Sequence, residues 1–150
     1  MLFSSLKCTF CFDNLSQIFH CILTASVKAK NFDRQSATLN DLIVEGIRDK
    51  KGKKIILMDM KHIEDAPADY FIVCEGDSNV HVKAISDSIY KKLMDNAQTK
   101  PFHIEGSIGA RWVLMDYFNT LVHIFHPETR QFYELEHLWS DARITEYADL

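Results

Sequence analysis

The sequence lacks the excess of positive charge that a broad nucleic-acid-binding surface requires. Its 150 residues carry 17 Lys and Arg against 21 Asp and Glu, a net charge of −4. This balance argues against a protein held to a phosphate backbone by basic side chains, and we expect no sequence-specific contact with nucleic acid. An acidic domain can still bind a basic protein. The length suits one domain with one hydrophobic core.

Cysteine is scarce as well. The four cysteines do not form a disulfide framework for a domain of this size, because three of them fall in the first 34 residues. Cys8 and Cys11 have CxxC spacing, and zinc would need further ligands such as His20 and Cys21. This Phe- and Leu-rich segment lacks the two well-formed ligand pairs of a zinc knuckle, so we expect no metal. The protein is expected to be reduced and intracellular.

Long apolar runs are absent too. No uninterrupted stretch reaches the roughly 18 apolar residues of a transmembrane helix, so we expect no contact with a membrane. Polar residues interrupt the N-terminal segment where a signal peptide would be apolar, and Arg34 is its only arginine, although mitochondrial presequences are Arg-rich. We therefore expect a cytoplasmic protein, with a mitochondrial location as the alternative. Residues 1–35 are predicted to be a disordered extension or to precede the true start, for which Val27 is a candidate.

What the sequence does contain is a β-rich stretch from Ile104 to Trp139. Within it, the apolar runs Trp112–Tyr117 and Leu121–Phe125 are separated by three residues. A short turn between two such runs is typical of a β-hairpin. Both runs mix alternation with continuous apolarity, so both faces of the hairpin are expected to meet other protein.

The rest of the sequence predicts elements that would cover this hairpin. Apolar residues recur at helical spacing in two segments, and short apolar runs mark three further strands. The predicted elements are helices at 36–48, 79–96 and about 133–139, and strands at 55–60, 70–74 and 102–105 besides the hairpin. This order predicts an α/β/α sandwich around a mixed five-stranded sheet, with one domain at 36–142 and a polar tail at 143–150.

Two stretches of the sequence resemble one known family. They are ADYFIVCEGDSNVHVKAISDSI and, after a Glu-Gly pair, RWVLMDYFNTLVHIFHPETRQFYELEHLW. In this order they are similar to the Iojap-like ribosomal silencing factors (RsfS), over residues 39–142. The resemblance implies a fold related to the nucleotidyltransferases, without catalysis and without a cofactor.

The same resemblance implies a function in translation. Members of this family bind protein fourteen (uL14) of the large ribosomal subunit, on the face that meets the small subunit. The protein is therefore expected to block subunit association and to repress translation when nutrients are short.

The first strand of the hairpin supplies the candidate interface. Trp112, Leu114 and Asp116 share one face of this strand because side chains alternate along it. An exposed aromatic and acidic face has the composition of a protein interface, whereas Trp112 as an ordinary core residue is the alternative. The resemblance favours the interface, and the histidine that the family motif retains adds His123. The predicted partner-binding residues are Trp112, Leu114, Asp116, Tyr117 and His123.

Two other functions stay open. The turn Gly76–Ser78 follows a strand and opens a helix, where backbone amides can bind phosphate, so a nucleotidyltransferase-like enzyme could use it together with Asp116. A two-metal site also needs paired carboxylates, which the sequence around Asp116 lacks. We therefore predict no catalytic residue and interpret the turn as a helix cap. The remaining alternative is a homo-oligomerisation module, such as a homodimer that uses the aromatic hairpin as its own interface.

Overall fold

The computed structural model describes residues 33–149. Three sequence predictions therefore lie wholly or mostly outside the described residues: the extension predicted at residues 1–35, of which only 33–35 are described, the candidate start at Val27 and the CxxC pair. The first described element is the helix α1, Asp33–Arg48, which begins three residues before the start predicted at residue 36.

Up to the second strand of the hairpin, helices and strands follow one another in the order that the hydrophobic periodicity predicted. After α1 come β1 (Lys53–Asp59), β2 (Tyr70–Glu75), α2 (Asn79–Ala97), β3 (His103–Glu105), β4 (Trp112–Asp116), β5 (Thr120–Phe125), α3 (Pro127–Tyr133), α4 (Leu135–Leu138) and β6 (Arg143–Tyr147).

All the described strands belong to one mixed sheet with the order β3-β4-β5-β2-β1-β6. Only β2 and β5 run parallel, and every other neighbouring pair is antiparallel. The predicted mixed α/β fold is confirmed. The described sheet has six strands rather than five, because residues 143–147, predicted as part of a polar tail, pair with β1 from Asp59↔Arg143 to Ile55↔Tyr147.

One face of the sheet is covered by α1 and α2. The helices bury the apolar stripes that the sequence predicted, with Ile43 and Ile47 on α1 and Ile85 and Ile89 on α2 completely inaccessible to solvent. Each such side chain contributes about 1.5–3 kcal/mol through the area it removes from water. The Ser78 hydroxyl accepts a hydrogen bond from the His81 amide at 3.2 Å and caps α2, as predicted for this turn.

The other face of the sheet is covered by α3, α4 and the loop between β1 and β2. The sequence predicted one short helix at about 133–139, and the structure instead begins a helix at Pro127. Proline is favoured in a first helical turn because its fixed φ suits the helix and its missing amide is not needed there. The helix ends at Tyr133, the next residue Glu134 has a left-handed φ of 44°, and α4 follows directly.

Candidate protein interface

The strand β4 separates two environments, as its alternating side chains predicted. Val113 and Met115 are fully buried against the helices α1 and α2, and Tyr117 beyond the strand end lies in the same core. Leu114 and Asp116 point to the other face and are half-buried. Of the five predicted partner-binding residues, these two present the most surface.

Trp112 shares a face with Leu114 and Asp116 but is packed into the core beneath α3. Only 8% of its surface is exposed. Its ring stacks on Phe125 at a centroid distance of 4.8 Å and contacts Tyr133 at 4.9 Å. These contacts fit the alternative interpretation, in which Trp112 is a core residue. They do not fit an anchor that protrudes toward a partner.

His123 lies completely buried on the same face. Its Nδ1 accepts a hydrogen bond from the Trp112 indole Nε1 at 3.3 Å, so the proton of the neutral ring is on Nε2. Burial lowers the pKa of His123 to about 3, which keeps the ring neutral at physiological pH. The Nε2 atom has no hydrogen-bond partner within the described residues. In this conformation His123 supports the strand from within and does not reach the surface.

Tyr117 is buried on the opposite face of the sheet, in the core formed with the helices. Burial raises the pKa of its hydroxyl above the usual range. The structure therefore does not bring Tyr117 onto the same surface as Leu114 and Asp116. Its side chain packs against the core and offers almost no area to a partner.

Asp116 shapes the turn that follows β4. Its Oδ1 accepts a hydrogen bond from the Phe118 amide at 2.8 Å. Phe118 has a φ of 64°, a conformation that non-glycine residues rarely adopt. Its ring is 65% exposed and lies 4.8 Å from the ring of Phe102, which is 63% exposed. No periodic pattern in the sequence indicated this aromatic pair, because its two members are 16 residues apart in the chain.

The edge strand β3 adds charge beside Leu114 and Asp116. The strand register places His103 opposite Asp116 and Glu105 opposite Leu114. Residues opposite each other in a β-ladder project from the same face of the sheet, so these four side chains form one partly exposed strip. The His103 Nε2 atom lies 2.7 Å from a carboxylate oxygen of Glu105. We call Leu114, Asp116, His103 and Glu105 the β4 strip.

A groove of about 420 Å³ opens at the Trp112 end of this face. One wall is the loop between β3 and β4, the other is α3, and Trp112 lies at its base. The residues around it are Gly106, Gly109, Ala110, Arg111, Trp112, Glu128, Thr129, Phe132 and Tyr133. Arg111 and Glu128 form an exposed ion pair of 3.1 Å between the two walls.

Arg130 fastens the α3 wall to the end of the sheet. Its guanidinium donates to Glu136 Oε1 from Nε at 2.8 Å and from Nη2 at 2.5 Å, and Nη1 donates to the Lys54 carbonyl at 2.8 Å. The buried carboxylate of Glu75 lies 3.7 Å from the same guanidinium and 2.8 Å from the Lys54 ammonium. These four residues come from three separate segments of the chain, so no periodic pattern could have found them.

The structure separates the two halves of the alternative catalytic site. Gly76 donates its amide to the Phe125 carbonyl at 2.9 Å, at the end of the sheet where β4 begins. Asp116 is opposite Leu121, at the other end of the same strands. Asp77 is bound by the Lys53 ammonium at 2.9 Å. No cluster of three His, Cys, Asp or Glu side chains suited to a metal ion occurs within residues 33–149.

Two further features bear on function. Burial raises the pKa of the Cys74 thiol in β2 to about 12, so this cysteine is a poor nucleophile. Among the helices in the described part of the chain, none has the length and apolarity to cross a membrane.

Comparison with known proteins identifies relatives over this whole domain. The family model for "Ribosomal silencing factor during starvation" (RsfS) matches residues 33–150. A ribosomal silencing factor RsfS from Halalkalibacterium halodurans is 38% identical over 108 residues, which cover 72% of this chain and 91% of the relative. The mouse protein "Mitochondrial assembly of ribosomal large subunit protein 1" is 31% identical over 104 residues, 67% of this chain and 44% of that protein. A crystal structure of a Chromobacterium violaceum protein superposes with a TM-score of 0.66 at 35% identity, covering 69% of this chain and 85% of that one.

Proposed function

This chain belongs to the RsfS family of ribosomal silencing factors, and we propose that it represses translation by binding the large ribosomal subunit. The family match carries this proposal, because it spans every element that the structure describes. The mouse relative, whose name refers to the ribosomal large subunit, supports the choice of subunit.

The proposed partner is protein fourteen (uL14) of the large subunit. The described domain is acidic, since residues 35–150 hold 13 basic and 19 acidic side chains. A basic ribosomal protein would complement this charge and would be steered toward it. We assign the contact to the β4 strip, where Leu114 supplies apolar area and Asp116 a carboxylate.

Tyr117, Trp112 and His123 would support this surface from below. Trp112 and His123 hydrogen-bond to each other across β4 and β5, and Tyr117 anchors the end of β4 in the helix-side core. A rigid strand loses little conformational freedom when a partner binds, so buried residues can raise affinity without touching the partner.

The proposed mechanism is steric. A domain seated on the face of the large subunit that meets the small subunit would prevent the two from joining. Such a mechanism requires complementary shape and charge and involves no covalent step. We propose that it lowers translation when nutrients are short, and that the protein acts in the cytoplasm.

Co-sedimentation with purified large subunits tests this proposal. We expect Asp116→Lys to weaken binding by about tenfold or more, because it places a cation against a basic partner. The matched control is Asp87→Lys, the same change at an exposed position on α2, on the far side of the sheet. Equal binding by both variants would place the interface elsewhere.

The silencing step needs a second measurement. Light scattering reports the association of large and small subunits into whole ribosomes, and the wild-type chain should reduce its amplitude in proportion to occupancy. Normal association on large subunits saturated with the chain would contradict the steric mechanism while leaving binding intact.

A further inference from the structure

The surface that lines the groove beside α3 is mainly apolar. Phe132 on its α3 wall is 79% exposed and contacts Tyr133 edge-on at 5.0 Å. Arg130, on the same helix, points away from the groove into its ion network. The helix is thus fixed by its polar side and presents aromatic side chains to the groove.

We infer that this groove receives one large apolar side chain from a basic segment of the partner protein. The inference rests on the proposed function and extends it from the β4 strip to the groove. Interface hot spots are typically large side chains that fill well-packed pockets, and a cavity of about 420 Å³ has room for one. Trp112 would then form the base of a receiving site, while the partner supplies the anchor.

The charge at the groove selects a basic segment. Glu128 lies on one wall, and within residues 33–149 its ion pair is with the exposed Arg111 across the opening, an interaction worth little in water. A Lys or Arg of the partner can therefore take the place of Arg111 beside Glu128 at small cost. Glu105 lies nearby, on the strand that precedes the loop wall.

A second copy of this chain fits the groove less well than a basic protein does. The described domain carries an excess of acidic side chains, so two copies would bring like charges together. A small polar ligand is also a poor match, because few polar groups converge in the groove to orient it.

The walls of the groove are held in place before any partner arrives. The loop bends at Gly106, whose φ of 77° is left-handed and where a Cβ would lie only 1.9 Å from the Trp112 carbonyl oxygen. The His126 amide donates to the Arg111 carbonyl at 2.8 Å and joins the start of α3 to the start of β4. A preformed site binds more tightly, because less ordering accompanies association.

The groove and the β4 strip lie along one strand. Trp112 at the groove and Asp116 at the far end of the strip are four residues apart on the same face, a distance of about 13 Å. An extended segment of about four residues spans this distance. One basic segment can therefore bind the strip and place an apolar side chain in the groove.

Filling the groove tests the inference. We expect Thr129→Trp to place an indole in the cavity and to weaken co-sedimentation with purified large subunits by about tenfold or more. The matched control is Gln131→Trp, the same change at an exposed position of α3 outside the groove, which should bind within about twofold of the wild type. Phe132→Ala removes the exposed wall without adding volume and should also weaken binding; it decides the result if Thr129→Trp does not fold.

The possible outcomes separate the groove from the wider proposal. If folded Thr129→Trp and Phe132→Ala bind as the wild type does while Asp116→Lys loses binding, the proposal for the groove is wrong and the β4 strip remains the assigned interface. Wild-type chain that does not co-sediment overturns both. If sedimentation equilibrium gives a dimer that Thr129→Trp dissociates, the occupant is a second copy and the assignment to a basic partner is wrong.

Discussion

The two faces of the sheet are both apolar but are closed in different ways. On one face, two long helices seal a core of aliphatic side chains, in which the described side chains leave almost nothing exposed. On the other face, two short helices and a loop cover an aromatic cluster only at one end of β4. The long helices stabilise the fold, and the partial cover leaves the strip and groove accessible.

This difference shows where a protein interface can form on a small domain. A sheet face that two amphipathic helices cover leaves no strand surface for a partner. A sheet face that only short helices cover exposes strand side chains next to rigid aromatic ones. The buried charged and histidine side chains of the described residues, namely His123, Glu75 and Arg130, lie on the second face, whereas the neutral polar groups of Asn40, Ser86 and Thr120 are buried on the helix side. The helix side can thus be tested for stability alone, and the partly covered side for stability and binding together.

The largest effect should come from a charge placed in the sealed core. Ile85→Asp puts a carboxylate at a position with no solvent access, so we expect several kcal/mol of destabilisation and an unfolded chain. Thermal unfolding followed by circular dichroism measures this. Val80→Asp is the matched control, since Val80 is largely exposed in the first turn of α2, where a carboxylate is tolerated. A cooperative transition near the wild-type Tm for Ile85→Asp would show that α2 does not bury this face.

A substitution in the aromatic cluster, on the other face of the sheet, should destabilise the protein nearly as much. Trp112→Ala removes the ring that stacks on Phe125 and contacts Tyr133, and we expect a loss of about 3–5 kcal/mol in the free energy of unfolding. Phe132→Ala, on the same face but exposed, should change it by less than about 0.5 kcal/mol. Urea unfolding curves compare the two. A small effect at Trp112 would mean that the cover over β4 contributes little to stability.

A smaller and pH-dependent effect should separate the faces further. His123 has a pKa of about 3 when folded, against roughly 6.5 in an unfolded chain, so the unfolded state binds more protons between these values. The contribution of His123 is therefore fully present above about pH 6.5 and is lost as the pH falls toward 3, by up to about 1.4 kcal/mol per pH unit. Unfolding free energies from pH 7 to 4 should fall less steeply in His123→Gln than in the wild type. His137→Gln, an exposed control, should keep the wild-type slope, and a wild-type slope in His123→Gln would contradict the buried neutral ring.

Much of the fold followed from periodicity. The stripe of α2 and the alternation of β4 specify their buried faces locally, because one helix or strand repeats its environment every few residues. β6 escaped prediction, since its residues are mostly exposed at the sheet edge and carry no buried apolar pattern. Pro127 is a local signal for the start of α3, because proline is favoured in a first helical turn.

The candidate interface could be predicted only in part. Alternation placed Leu114 and Asp116 on one face, yet it could not decide whether Trp112 was exposed, since that depends on α3 folding back over it. The groove joins two segments about 20 residues apart, and the ion network of Arg130 joins three. Such features arise from tertiary packing and leave no periodic signal in the sequence.

The pairing of β6 with β1 also affects how the chain is made. During synthesis, β1 emerges well before residues 143–147, so among the described strands β2 alone can pair with it until β6 has been made. An open strand edge can pair with other chains. A truncated product that lacks β6 would keep this edge exposed and would be prone to aggregate. The pairing of β6 with β1 therefore protects the folded domain from association through this edge.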